Sequence, residues 1–370
     1  AGFFALAANL SAAELKLPNT LVTTAYDTSS AGYSQMVAIG SMLKNQHGVN
    51  LRVLPGKNDV SRLTPLKKKT SQFAATGAES VFAQEAIYTF GTEAWGPMPI
   101  RLLLVNRSDA CGNFVVAGDI GVKTMADMKG KRVAWIRGSP FLQTATEGLL
   151  AFANLSMDDV KKVEVGGWQA SIDGIVNGDI DATIVITNSP GVLKVQASPR
   201  GATHPPLPLA DEAGWKRLRN FLPWAIKGSC TDGQAIPGGK QEGSLAIYPM
   251  MIATDATSAD VTYGLTMAMV KGFDAYKDGA PGADGWALSR QLEDFYLPWH
   301  DGAIRALKEL GRWNDKMQAH QDNMLERQAV LASAWKKYRA KPGADFEKGW
   351  MAARASALKA AGMPPLFESW

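Results

Sequence analysis

The sequence predicts an α/β protein built from two lobes, and three observations carry that reading. The chain has 370 residues, beyond the size at which a single hydrophobic core keeps growing. Short β-rich runs alternate with amphipathic helical stretches, the order expected of a mostly parallel sheet covered by helices. Hydrophobic residues make up 46% of the chain and charged residues 20%, enough apolar surface for sizeable cores.

Taken in order, a first strand is read over 21–24 and a helix over 33–44. A second strand at 51–54 ends in the Pro55-Gly56 turn, and 60–69 is helical. A short strand at 73–76 precedes a helix at 80–88, and 100–106 (IRLLLVN) is a long apolar strand, followed by another at 114–117. A second series starts with a helical turn at 125–128, stopped by Gly130, and a strand at 132–136 (RVAWI). It continues as helix 140–153, strand 163–165, helix 169–177, buried strand 182–187 (ATIVIT) and helix 190–196. The segments 207–209 and 212–220 extend the alternation, and a loop over 228–244 leads to an apolar strand at 245–251. Helices follow at 259–276, 303–310, 316–339 and 346–360, an all-helical end that reads as a cap on one lobe.

The formal charge of +4 is mild, and the densest basic run, Lys67-Lys68-Lys69, reads as a solvated helix end and not a nucleic-acid surface. No apolar run reaches the roughly 20 residues needed to span a bilayer. Residues 1–13 hold the apolar stretch AGFFALAANL and a small Ser11-Ala12-Ala13 triplet before Glu14. They read as a signal-peptide remnant or as a short N-terminal helix, and the first reading implies export. The two cysteines, Cys111 and Cys230, pair in an exported protein and stay buried thiols in a cytosolic one. His47, His204, His300 and His320 lie far apart and no CxxC occurs, so neither metal nor cofactor is expected.

Two Ser-Pro dipeptides give the sharpest local signal, each placed just after a predicted buried strand. Ser139-Pro140 follows RVAWI through Arg137-Gly138, and Ser189-Pro190 follows ATIVIT through Asn188. Serine is a preferred N-cap and proline a preferred first helical residue. A helix start there presents unpaired N–H groups and suits an anion. The Asp27-Thr28-Ser29-Ser30-Ala31-Gly32 segment after the first strand, and Glu79-Ser80 after the third, repeat the arrangement. Each alone is an ordinary cap; together they form a cleft at the carboxyl ends of the strands. Arg137 adds a charge suited to a carboxylate, while Asp27 and Glu79 oppose an anion and suit an amino or hydroxyl group. Trp135 and Trp168 lie close to these loops. No GxSxG, HExxH, P-loop or GxGxxG is present, so an enzyme is not expected.

Four segments in order resemble the TAXI-type solute receptors of tripartite ATP-independent periplasmic (TRAP) transporters, over about 17–313. They are LPGKNDVSRLTPLKKKTSQFAATGAES (54–80), ADMKGKRVAWIRGSP (126–140), LSMDDVKKVEVGGWQASIDGIVNGDIDATIVITNSP (155–190) and LPWHDGAIRALKELGRW (297–313). The resemblance implies a type II periplasmic binding-protein fold, two α/β lobes joined by two crossover strands. It places lobe I at 14–106 and 245–313, lobe II at 107–244, and a helical C-terminal extension at 314–370. It implies a monomeric periplasmic receptor that closes on a small organic carboxylate and delivers it to TRAP permease subunits, with no nucleic-acid partner. Carried over by position, the contacts are Tyr26, Asp27, Thr28, Ser29, Ser30, Glu79, Ser80, Arg137, Gly138, Ser139, Trp168, Asn188 and Ser189. In that scheme Arg137, Ser139 and Ser189 hold the carboxylate while Tyr26 or Trp168 packs on its apolar part. The same fold puts Cys111 and Cys230 near the hinge of lobe II, within reach of a bridge. The first loop, AYDTSSAGY, departs from the glycine-rich loop of the family. Two other readings remain: an ABC-type or sensory receptor for a sulfonate- or thiamine-like ligand, and an enzyme on the same scaffold.

Overall fold

The structure, a computed structural model, describes residues 15–370, and the reading of 1–13 lies outside them. In the first lobe β1 (Thr20–Tyr26), α1 (Ala31–His47), β2 (Asn50–Gly56), α2 (Asp59–Lys67), β3 (Phe73–Thr76), α3 (Glu79–Glu85) and β4 (Ile100–Val105) follow one another. The second lobe holds β5 (Cys111–Ala117), β6 (Arg132–Ile136), α4 (Pro140–Phe152), β7 (Lys161–Val165), α5 (Trp168–Asn177), β8 (Ala182–Ile186) and α6 (Pro190–Gln196). It continues through β9 (Ala202–Thr203), α7 (Glu212–Phe221), β10 (Ile226–Cys230) and β11 (Gln241–Leu245). The chain then returns with β12 (Met250–Thr254), α8 (Ala259–Lys271), α9 (Phe273–Tyr276) and α10 (Asp301–Glu309), and ends in α11 (Asp315–Ala340) and α12 (Phe346–Ala360).

Sheet one has the order β2-β1-β3-β12-β4, with β1 parallel to β2 and β3, and β12 antiparallel to both neighbours. Sheet two has the order β10-β11-β5-β8-β6-β7, with β9 paired to β5. Every residue of β3 is buried, so FAAT reads as a continuous small-apolar run instead of an alternating one. Each sheet carries its own core, one around Leu21, Phe73, Leu103 and Ile252, the other around Phe114, Val133, Ile172 and Trp215.

Two crossing segments join the lobes and bond to each other: Tyr248 N donates to Asn106 O at 3.1 Å and Ala246 N to Ala110 O at 2.9 Å. The apolar strand expected over 245–251 is therefore two strands, β11 and β12, in different sheets. Pro249 has no N–H to give a ladder, and the chain changes sheets around it. The loop expected over 228–244 contains much of the β10–β11 hairpin, whose glycines and polar residues conceal the strand pattern. Residues 207–209 are not a strand; Leu207 is a buried anchor whose N–H reaches Glu242 O at 3.0 Å. Cys111 and Cys230 are joined by a disulfide, with Cα atoms 5.5 Å apart.

The last two helices pack together against lobe I. Asn314 caps α11 by accepting from Met317 N at 2.9 Å, and Asp345 caps α12 by accepting from Lys348 N at 3.1 Å. Their anchor is Glu85 at the end of α3, fully buried, which binds Arg327 of α11 and Arg354 of α12. Trp350 Nε1 donates to Ala86 O at 2.6 Å beside it. No helix among the described residues is long and apolar enough to cross a membrane.

Candidate functional site

The helices of lobe II start where the Ser-Pro signals place them, α4 at Pro140 and α6 at Pro190, and α5 starts at Trp168. Each start faces lobe I, and lobe I already fills it. Phe141 N at the head of α4 donates to Asp59 Oδ2 at 2.9 Å. At the head of α5, Trp168 N donates to Lys57 O at 3.0 Å and Gln169 N to Asp27 Oδ2 at 3.1 Å. Gly191 N of α6 donates to Ser29 O at 3.0 Å. Val60 N to Gly138 O at 3.1 Å and Asn58 Nδ2 to Arg137 O at 3.1 Å complete the seam. One or two of the N–H groups at each of these helix heads are thus spent on holding the two lobes shut.

Behind this seam lies a cavity of about 110 Å³, room for several water-sized atoms. On the lobe II side α4 presents Phe141, Leu142, Ala145 and Leu149, whose spacing of three and four puts them on one face. Ile184 to Ile186 of β8, Gly112 of β5 and Leu245 of β11 face them across the slot, and Trp168, Trp224 and Phe295 close it. Gly112 is what opens it, since a Cβ there would meet nothing within 4 Å. Trp224 knits the walls together, with ring centroids 6.3 Å from Phe141, 6.5 Å from Phe295 and 6.4 Å from Phe367 of the C-terminal tail.

At the lobe I end the lining turns polar, with Tyr26, Ser30, Arg62, Glu79 and Tyr248. The Arg62 guanidinium lies 3.7 Å from the centre of the Tyr26 ring, pairs with Glu79, and stands 3.8 Å from Asp59. It also donates to Ala75 O at 3.2 Å. Arg62 Nε is buried and has no hydrogen-bond partner among the described residues. The Tyr26 hydroxyl donates to Asp59 and lies 3.1 Å from Ser139 Oγ, so this network also crosses the cleft. Burial, with Glu79 nearby, pushes the Asp59 carboxyl up to about 7. Asp59, Arg62 and Glu79 have no exposed side-chain surface, so the positive charge is matched from within the protein.

Of the residues named from sequence, Tyr26, Ser30, Glu79, Trp168 and Ser189 line the cavity. Asp27, Ser29 and Ser139 are in the interlobe seam instead, and Gly138 contributes only its carbonyl. Ser80 is turned to Thr76 Oγ1 at 2.6 Å, Asn188 to Asp232 Oδ2 at 2.6 Å, and Thr28 is exposed. Arg137 is exposed and does not line the cavity, because Gly138 turns the chain at a φ of 72° just before Ser139 enters the seam. His300, in the LPWHDGAIR segment, caps α10 by accepting from Gly302 N at 3.2 Å. Sequence reasoning passed over Asp59, Arg62, Phe141, Trp224 and Tyr248. The signal available for two of them was a Asp-x-x-Arg spacing on the buried face of a helix capped by Asn58.

Two open sheets with these strand orders, joined by paired crossings and enclosing a cavity between the lobes, define a type II periplasmic binding-protein fold. The chain belongs to the NMT1-like family, whose match covers residues 24–311 and so leaves α11 and α12 outside it. No match was found among curated proteins. Among solved structures it is similar to the alkanesulfonate-binding protein SsuA from Xanthomonas axonopodis pv. citri bound to MOPS, at 14% identity over 90% of this chain and 98% of that one, with a TM-score of 0.46. It is similar to the periplasmic aliphatic sulphonate binding protein SsuA from Escherichia coli, at 14% identity over 88% and 89%, TM-score 0.43. PhnD1 from Prochlorococcus marinus in complex with methylphosphonate is 12% identical over 80% of this chain and 100% of that one, TM-score 0.44.

Proposed function

We propose that this protein is a periplasmic solute receptor that closes its two lobes on a small organic molecule and presents it to a membrane permease. The observation that carries this is the cavity lined from both lobes and sealed by hydrogen bonds that cross the cleft. Ligand atoms touching both walls would favour the closed state over the open one, which couples capture to a change of shape. The disulfide fits an oxidising compartment.

The aromatic and aliphatic walls favour a ligand with a sizeable apolar body over the small carboxylate implied by the TAXI resemblance. The permease, tripartite or ABC-type, is decided by which membrane subunits retain the receptor in a pull-down from native membranes. A thermal-shift screen of organic acids, amino acids, alcohols, amides and aromatic compounds tests the receptor reading, since a ligand specific to the native state raises its melting temperature. At least one compound is expected to stabilise the protein and to survive unchanged. Turnover of the bound compound, or no stabilisation by any class, would overturn it.

A further inference from the structure

We infer that the cavity selects a ligand with an apolar body and an uncharged hydrogen-bonding head, such as a hydroxyl or carboxamide, and rejects the matching carboxylate. The inference rests on the receptor reading and adds the chemical class of the ligand.

The cation on the cavity wall is paired within the protein, and each helix head at the cleft has one or two of its N–H groups bound by lobe I. Arg62, the cation on the cavity wall, is paired with Glu79 and flanked by Asp59, both inside the same buried cluster. Its Nε is buried and has no hydrogen-bond partner among the described residues. The heads of α4, α5 and α6 are occupied by Asp59, by Lys57 O and Asp27, and by Ser29 O. A ligand carboxylate would therefore enter beside Glu79 with the Arg62 charge already paired, leaving no free positive side chain to repay the loss of its water.

Uncharged polar groups, by contrast, are offered. Ser189 and Ser244 line the cavity, and neither hydroxyl makes a hydrogen bond among the described residues. Ser30 Oγ, which accepts from Tyr33 N at 3.2 Å, lines it beside Tyr248. A hydroxyl can donate or accept as the ligand requires, so these serines suit an alcohol or amide. The slot between α4 and β8 takes the apolar body, with Gly112, Ala145 and Ala225 leaving the space and Phe141, Trp168 and Trp224 bounding it.

The test is calorimetric titration of the intact protein with matched pairs: 1-hexanol against hexanoate, benzyl alcohol against benzoate, and phenylacetamide against phenylacetate, at pH 7.5. The uncharged member of at least one pair is expected to bind at least tenfold tighter than its carboxylate. Gly112→Leu, which extends into the slot from a position where an added Cβ meets nothing within 4 Å, is expected to abolish that binding without lowering the melting temperature. Ser189→Ala is expected to weaken it about fivefold, the worth of one neutral hydrogen bond. Equal or tighter binding of the carboxylates, lost in Gly112→Leu, overturns the ligand class and leaves the receptor reading standing. If no pair binds, the ligand class falls; if the wider thermal-shift screen is also blank, the receptor reading falls with it.

Discussion

Asp59 is the residue through which the buried charge cluster and the closure of the lobes meet, so Asp59→Ala is the most informative perturbation. Its carboxylate accepts the Phe141 N–H of the opposite lobe at 2.9 Å and the Tyr26 hydroxyl of its own lobe. In the variant Tyr26 keeps Ser139 Oγ at 3.1 Å, and Arg62 keeps Glu79, so no buried charge is orphaned. What is lost is the acceptor at the head of α4. In the closed state the Phe141 N–H then has no partner, whereas in an open state water supplies one. Leaving such a donor unsatisfied costs about 1–3 kcal/mol. A central value of about 2 kcal/mol, charged wholly against closure, lowers the closed-to-open ratio about thirtyfold. Small-angle scattering of the unliganded protein reads this as a larger radius of gyration. Titration with any ligand found in the screen reads it as weaker affinity, because closure must then be driven by binding. The other seam bonds, at Lys57, Asp27 and Ser29, remain, so folding itself should persist. A scattering profile and an affinity both unchanged within twofold would refute the assignment of Asp59 as an interlobe latch.

Four further outcomes are expected. Because the folded-state carboxyl of Asp59 is raised from 3.8 to about 7, the folded chain holds a proton that the unfolded chain has released. This contribution is full below the unfolded value and fades as pH rises through about 7, so the unfolding free energy of the wild type relative to Asp59→Asn, from urea melts at pH 5.5 to 8.5, should fall with pH. Glu85→Gln leaves Arg327 and Arg354 buried without their counter-charge and should cost about 3–5 kcal/mol, seen as a lower melting temperature and faster proteolysis of the C-terminal helices. Replacing Cys111 and Cys230 together by alanine removes a cross-link spanning 119 positions and should lower the urea stability by up to about 4–5 kcal/mol. Arg137→Ala should leave ligand affinity within twofold and stability unchanged, since its side chain is exposed and does not line the cavity.

Much of the framework was legible because it is written in local chemistry. Strand-to-Ser-Pro junctions located the starts of α4 and α6 to the residue, since the cap preference of serine and the fixed φ of proline act within a few positions. The charge-rich helical stretches at the end of the chain gave α11 and α12 nearly to their ends. Where pattern failed, the cause was physical. The β10–β11 hairpin carries Gly228, Ser229 and Gly243, whose small or polar side chains conceal its strands, and the apolar run at 245–251 belongs to two sheets that only the crossing at Ala246 to Pro249 separates.

The candidate site divides along the same line. The sequence by itself determined that helix N-termini gather at the carboxyl ends of strands, with hydroxyls, tryptophans and two opposing acids nearby. It could not show what those N-termini bind, because a donor is satisfied by whichever acceptor the fold carries to it. Only the tertiary structure decided that the acceptors are Asp59, Lys57 O, Asp27 and Ser29 O of the facing lobe, residues 82 to 162 positions away in the chain. With these N–H groups committed to closure, and Arg137 turned outward by the backbone at Gly138, the space left for a ligand is an apolar slot with a polar end.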